Sequence, residues 1–424
     1  MEVMDKREIQ VRDVSTLDVE ENLREQILIM SEKCIKCKLC QKECAFLRKY
    51  GKPKDIADLY DPNDKLYQGM PFECSLCQLC AAVCPVKINP TEMFLDMRRE
   101  TVRRGIGYYP EHATILRYEK RGISKKYTFY SLPHGCDTIF FPGCALSGTH
   151  PQKVIEVYEH LSSNIPKLGI VLDCCTLPSH DLGRADYFQR MFDEMKAFLL
   201  SNGIRQIIVA CPSCFKVFKR YGNELTVKTV YEMIIETALP ETGRLEGTVT
   251  IHDSCASRFE KPVHDAIRDL VGAKGLTLKE MPHSRMKTLC CGEGGSVRFL
   301  NPELAKNWSH LRRSEAVGNN RVLTYCAGCV NSLGSSMPTT HILDLLFEPE
   351  NAMTGKAKVS KSPFTYLNRI RLKKHFRKTL RGTITRERAF TVGEESKKGS
   401  LLQRFLILFF IIAAIFIIHS TGKP

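Results

Sequence analysis

Eight cysteines in two blocks of one spacing constrain this chain more than any other feature of it. The first block reads CIKCKLCQKEC, with Cys34, Cys37, Cys40 and Cys44. The second reads CSLCQLCAAVC, with Cys74, Cys77, Cys80 and Cys84, and Pro85 follows it. Both are C-x2-C-x2-C-x3-C. Three thiolates at that interval on a tight loop hold three corners of one iron–sulfur cubane, and the fourth cysteine opens a helix that leads away. Structural zinc pairs two C-x2–4-C knuckles, so a third cysteine at the same short interval, twice over, argues against zinc. The first thirty residues are charged and lack an apolar h-region, so the chain reads as unexported. Its thiols then belong in a reducing compartment, where clustered cysteines mean metal or redox chemistry.

In two-cluster ferredoxins the fourth cysteine of each run ligates the other cluster. By that resemblance Cys34, Cys37, Cys40 and Cys84 serve one [4Fe–4S] centre, and Cys74, Cys77, Cys80 and Cys44 serve the second. Ala45 stands where a proline usually follows the first run, which affects the exit turn and leaves ligation untouched. The 29 residues between Cys44 and Cys74 resemble the helical, succinate-dehydrogenase-like version of such a module. Blocks of this kind pass single electrons and make no bonds themselves.

The second half of the chain is built twice. TIFFPGCALSG (Cys144), VLDCCTLPSHDLG (Cys174, Cys175) and IIVACPSCF (Cys211, Cys214) are followed by TVTIHDSCASR (Cys255), LCCGEGG (Cys290, Cys291) and VLTYCAGCV (Cys326, Cys329). Corresponding cysteines lie 111, 116 and 115 residues apart, a domain's worth of chain. VKTVYEMIIETA after the first C-x2-C is echoed by TTHILDLLFEPE after the second. TIFF, GIVL, QIIVA, TVTIH and RVLTY are short runs rich in β-branched residues, without alternation, as buried parallel strands are. Helical stretches at 185–202, 262–270 and 302–317 separate them, so the expected fold class is α/β with a mostly parallel sheet. The cysteines fall just after strands, where such sheets gather ligands. Five thiolates exceed the four that a cubane or a structural zinc needs. Cys136 precedes the first strand without a repeat partner and reads as a core or surface thiol.

These paired patterns resemble the cysteine-rich CCG domains of heterodisulfide reductase catalytic subunits. Related domains occur in the iron–sulfur subunits of glycolate and lactate oxidation systems. The resemblance covers residues 30–348 and implies a noncubane [4Fe–4S] cluster in each CCG domain, with a disulfide cleaved between them. Carried over by position, Cys144, Cys174, Cys175, Cys211 and Cys214 would hold a third cluster, and Cys255, Cys290, Cys291, Cys326 and Cys329 a fourth. The second repeat keeps Cys-Cys-Gly, whereas the first has Thr176 in the glycine position. Glycine there lets backbone approach a cluster or substrate closely, so the shape of the first site is the open point.

His180, His252, His283, Arg258 and Glu293 lie within a few residues of these cysteines and are candidate proton donors or structural groups. GEGGS at 292–296 reads as a turn beside the cluster. No G-x-G-x-x-G follows a strand, so no flavin or nucleotide site of the chain's own is expected.

A formal charge of +15 raises nucleic acid as a partner, but the charge is localised. Residues 356–404 hold 15 Lys and Arg against three acids, leaving the rest of the chain at +3. Nucleic acid is therefore not expected. Phe405–Ile418 is an unbroken apolar run, and Leu401–Thr421 reaches the 21 residues that suffice to span a bilayer. Its basic flank places the preceding protein on the cytoplasmic side and would attract lipid headgroups. The expected architecture is a polar lead-in at 1–30, a small, mostly helical two-[4Fe–4S] ferredoxin-like module at 31–105, and tandem α/β CCG domains at 136–245 and 246–348. A basic juxtamembrane linker at 349–400, with some helix around 364–380, leads to a transmembrane anchor at 401–421.

Two functions fit: a membrane-anchored iron–sulfur oxidoreductase reducing a disulfide, or a non-catalytic relay between a flavoprotein dehydrogenase and the quinone pool. Either implies membrane lipid and a further cytochrome or quinone-interacting subunit as partners. In a host without partner subunits, truncation before Leu401 is expected to move the protein from the membrane to the soluble fraction, and a full-length chain that is already soluble there would refute the anchor.

Overall fold

The computed structural model describes residues 17–316, 318, 321–380 and 383–388. The iron–sulfur module is helical throughout, as expected, but starts earlier. The polar lead-in contains a helix at Glu21–Lys33 whose Leu23, Ile27 and Met30 are fully buried. The i, i+4, i+7 spacing of those three makes a narrow apolar stripe in a charged helix, easily read as polar; burying each contributes about 1.5–3 kcal/mol. The stripe packs on Pro53–Asp58 and Pro90–Arg103. The latter helix starts cleanly: Asn89 accepts from Thr91 N–H and Pro90 takes the first position.

The two repeats fold alike. β2 (Thr138–Phe141), β3 (Gly169–Leu172), β4 (Gln206–Val209) and β5 (Thr226–Thr229) form a parallel sheet in the order β3-β2-β4-β5. β6 (Thr248–His252), β7 (Thr277–Leu278), β8 (Val322–Thr324) and β9 (Thr339–His341) repeat that order as β7-β6-β8-β9. All five strands expected from sequence are present, with helices at Ala185–Ser201, Lys261–Ala273 and Pro302–Glu315 between them. β5 and β9 are the starts of the echoed segments after each C-x2-C. Their polar Thr and Lys side chains disguise them. Ile139, Phe140 and Ile208 share one apolar core with Ile251 and Leu323 of the second repeat.

The first sheet is larger than the repeat. β1 (Phe129–Pro133) joins β3 antiparallel, and β10 (Thr383–Arg386) joins β1. β10 comes from the stretch expected to be a loose basic linker at 349–400, and that expectation is corrected here. The helix Phe364–Thr379 in the same stretch buries Asn368, Arg369, Leu372, Lys373 and Phe376. Phe376 meets Tyr158 edge-on at 5.1 Å, and Asn368 donates to the Gly148 carbonyl. The cause of the misreading is that two of the five buried side chains are cations, which composition counts as solvent-facing. Among the described residues no helix is long and apolar enough to cross a membrane. The expected anchor at 401–421 lies outside the described residues.

One buried side chain joins the module to both repeats. Arg98, in the helix Pro90–Arg103, donates to the carbonyls of Pro71 (2.9 Å), Cys74 (2.5 Å), Asp181 (2.6 Å) and Gly295 (3.0 Å). Burial lowers its pKa to about 10, still charged at neutral pH. Arg98→Met would leave four buried carbonyls without that donor, at about 1–3 kcal/mol each when no water replaces it. The variant should lose more than about 3 kcal/mol in anaerobic urea unfolding. Arg98→Lys, with at most three donors, should fall between the two.

Candidate metal centres

Two cavities open in the helical module. One is lined by Cys34, Cys37, Cys40 and Cys84, with Cys80 on its wall. The other is lined by Cys44, Cys74, Cys77 and Cys80. Each therefore collects three cysteines of one run and the fourth of the other. The loops are wound identically: Lys36 and Lys38 around Cys37, and Leu76 and Gln78 around Cys77, all have φ between 49° and 67°. Left-handed backbone in non-glycine residues is strained by about 1–3 kcal/mol each and persists where a site holds it.

The donor chemistry fits an iron–sulfur cluster. Burial, then the neighbouring Cys34, Cys37 and Cys84 sulfurs, push the Cys40 thiol up to about 11. Burial pushes Cys74 to about 12 against the pull of Arg98. Four thiolates packed this closely repel one another, and a bound metal cluster offsets that repulsion.

The five-cysteine sets also converge. In the first, the Cys144 and Cys174 sulfurs lie 3.9 Å apart, while Cys175 and Cys211 both interact with Cys214. Gly143, at φ +80°, lets the Cys144 segment press on this group, since a Cβ there would sit 2.9 Å from Cys211 Cβ. In the second, the Cys291 and Cys329 sulfurs are 3.3 Å apart, and Cys290 interacts with Cys255 and Cys291. Thr176 and Gly292 both take left-handed backbone, φ +54° and +91°. Replacing glycine by threonine thus keeps the turn and adds a buried side chain beside the first set.

Tyr231 ties the two sets together. Its hydroxyl lies 3.1 Å from both the Ala210 and Tyr325 carbonyls, the residues immediately before Cys211 and Cys326. The second set also meets the iron–sulfur module. Cys77 interacts directly with Cys290, and Leu79, Leu289 and Trp308 pack around that contact. Gly294 and Gly295 press on the Ser75 and Cys74 carbonyls, where a Cβ would come within 2.5 Å. GEGGS is thus a turn beside the cysteines, and its glycines serve the docking of the module.

The candidate histidines separate. His180 is held by Asp181 (2.9 Å) and Tyr221 (2.8 Å), and His283 by Glu315 and Glu43 (3.2 Å), so both rings are engaged away from the sulfurs. His252 faces the second set, and its ligand atom lies with those of Cys291 and Cys329 within 4.8 Å. Arg312 donates to His252 Nδ1 at 2.9 Å, which leaves the ring proton on Nε2, while burial lowers the ring's pKa. An Nε2–H is a hydrogen-bond donor to sulfur and cannot ligate. Arg258 donates to the Cys77 and Met286 carbonyls, and Glu293 is held by Arg298 at 2.8 Å. Cys136 is a core thiol donating to the Thr138 carbonyl.

Sequence reasoning missed Arg369. It is buried beside the first set, stacked over Tyr127 (5.1 Å) and Tyr118 (5.6 Å), with one nitrogen donating to the Gly122 carbonyl. The hydrogen bond from Cys174, then the charge of Arg369 working against burial, lowers Cys144 to about 6. No signal marked it, since it lies 155 residues beyond Cys214 in a basic stretch. Trp308 was missed too, although the chain's one tryptophan, set in a charged helix, is itself a sign of a buried contact.

If the crossed lining reflects crossed ligation, Cys84→Ala should abolish the same cubane EPR signal as Cys34→Ala. Cys44→Ala should abolish the one lost in Cys77→Ala. Pairing of Cys84 with Cys77 in this series would reject it.

Residues 30–88 match the 4Fe-4S dicluster domain family, and residues 138–219 and 249–334 match the cysteine-rich domain (CCG) family. The chain is 24% identical over 283 residues to one component of the dihydromethanophenazine:CoB–CoM heterodisulfide reductase of Methanosarcina mazei, covering 60% of this chain and 69% of that one. It is 25% identical over 339 residues to one component of the fumarate reductase (CoM/CoB) of Methanothermobacter marburgensis, covering 70% and 66%. Identity to the EtfAB:quinone oxidoreductase of Syntrophomonas wolfei is 22% over 270 residues, covering 55% and 37%. These domains bring [4Fe–4S] clusters, including the noncubane kind. The chain is an iron–sulfur protein of the heterodisulfide-reductase-like type, a 4Fe-4S dicluster domain followed by two CCG domains.

Proposed function

We propose that this iron–sulfur oxidoreductase reduces a disulfide at its paired five-cysteine sites, with electrons arriving through the dicluster module. The observation that carries this reading is Tyr231, whose one hydroxyl spans the carbonyls before Cys211 and Cys326 and so holds the two sites side by side. A substrate with two linked sulfurs needs two such sites at a fixed separation. When bound, the clusters supply single-electron transfer and iron with an affinity for sulfur.

The chain's own groups do the rest. Cys34, Cys37, Cys40 and Cys84 would hold the outer dicluster centre, and Cys44, Cys74, Cys77 and Cys80 the inner. The packing of Trp308 and Leu289 around Cys77 and Cys290 excludes water between the inner centre and the second five-cysteine site. His252 presents a hydrogen to Cys291 from a fixed orientation, because Arg312 occupies its other nitrogen. Arg369 places a buried positive charge at the first site, which favours anionic sulfur there. The balance is one disulfide, two electrons and two protons to two thiols.

A second reading keeps the wire and drops the chemistry. The likeness to an EtfAB:quinone oxidoreductase supports a relay between a flavoprotein and the quinone pool. The basic stretch and the apolar residues 401–421 support membrane anchorage beside a cytochrome or quinone-interacting partner in both readings.

Anaerobically purified protein with a full iron complement should oxidise reduced viologen only when a suitable disulfide is present, two viologens per disulfide. Tyr231→Phe should lower that rate while iron content holds. No turnover across a panel of disulfides, together with a stoichiometric flavoprotein in detergent co-purification, would establish the relay instead.

A further inference from the structure

The two cysteine runs are near-copies in sequence and backbone, yet they face opposite surroundings. At corresponding positions Ser75 and Leu79 are 6% and 1% exposed, pressed under the second repeat, while Ile35 and Leu39 are 62% and 46% exposed. Cys37 is itself exposed, whereas Cys77 is buried. Val86 is a third exposed apolar side chain, and with Ile35 it lines the cavity of Cys34, Cys37, Cys40 and Cys84. Apolar side chains held in solvent beside a redox site, and rimmed by polar ones, mark an interaction surface.

The charge differs as well. Residues 31–42 hold four lysines (Lys33, Lys36, Lys38, Lys42) and one acid, and Lys87 follows on the adjoining loop. Residues 73–84 of the inner run hold no lysine or arginine. Lys36 is paired with Asp55 at 2.5 Å, and Lys33, Lys38, Lys42 and Lys87 are exposed. The spacing that makes a cluster loop does not need lysine, as the inner run demonstrates. The lysines therefore serve the outside of the loop.

We infer that the Cys34–Cys40 loop, with Ile35, Leu39 and Val86 at its centre and Lys33, Lys38, Lys42 and Lys87 around it, is the docking surface for an acidic electron-carrier protein. A carrier with carboxylates around its own redox centre meets both features: the rim steers it and the apolar centre seats it close to Cys37. An anionic membrane would meet the lysines, but the patch is centred on an exposed cluster cysteine, which a lipid surface does not use. The inference rests on the iron–sulfur character of the chain and not on the disulfide.

The test uses the full-length holoprotein and an acidic flavodoxin, with affinity followed by calorimetry from low to physiological salt. Binding should weaken at least tenfold over that range, since screening shortens to about 8 Å at 0.15 M. Lys33→Glu/Lys38→Glu/Lys87→Glu should weaken it at least tenfold at low salt, with iron content and dithionite-reduced EPR signals unchanged. Ile35→Ser, which removes no charge, should weaken binding at every salt concentration and guards against a folding defect in the triple variant. Equal affinity of wild type and triple variant, or salt-independent binding, would overturn the inference. So would a triple variant that keeps flavodoxin affinity but loses affinity for phosphatidylserine vesicles. A chain that binds flavodoxin through these lysines yet reduces no disulfide leaves the docking surface standing and removes the disulfide reading.

Discussion

The architecture depends on a single buried cation. Arg98 reaches carbonyls in three pieces of the fold: Pro71 and Cys74 at the entry to the inner cysteine run, Asp181 of the first repeat and Gly295 of the second. A guanidinium in a dry interior is costly unless its donors are satisfied, and four carbonyls at 2.5–3.0 Å satisfy it. That requirement fixes where the dicluster module sits. Loss of any one carbonyl from position would strand part of a buried charge, so the three pieces hold one another in register. The glycines facing Cys74 and Ser75 belong to the same joint, because no side chain fits where the backbones meet.

Internal duplication gives two sites with one backbone and two electrostatic settings. Phe141 and His252 occupy the same place before the first cysteine of each set. The second site thus has an Nε2–H donor that the first lacks. The first has instead a buried guanidinium, Arg369, delivered from a helix outside the duplicated unit. A hydrogen bond and a net positive charge act differently on bound sulfur, the charge acting over a longer range. On the proposed disulfide chemistry, the two sites that take the two halves of one substrate need not be equal, and these are not.

Much of this was legible because metal ligation and parallel strands leave local signatures. The spacings of the cysteine runs, the duplicated five-cysteine sets and the strands TIFF, QIIVA and RVLTY are all local patterns. β5 and β9 were hidden by threonine and lysine in strands that are buried only in part. The helix at 21–33 was hidden by a different effect. Its exposed face is so charged that the narrow buried stripe Leu23-Ile27-Met30 does not register in composition. The helix at 364–379 was expected, but the burial of its Arg369 and Lys373 was not. Of the three histidines near cysteines, proximity in sequence could not tell which one turned inward. That depended on Arg312, sixty residues from His252.

The sequence alone determined the cysteine inventory and the duplication, because the spacing of thiols along a loop is a covalent property of the chain. It also determined the α/β character of the repeats, through runs of β-branched residues between amphipathic helices. Only the tertiary structure decided which cysteine run is buried and which is presented to solvent, since the shared cysteine spacing is silent on it and the second repeat covers only one of them. It alone brought Tyr231 across to both strand ends and Arg369 back to Cys144. Contacts over such separations follow from how whole layers pack, and no local pattern encodes that packing.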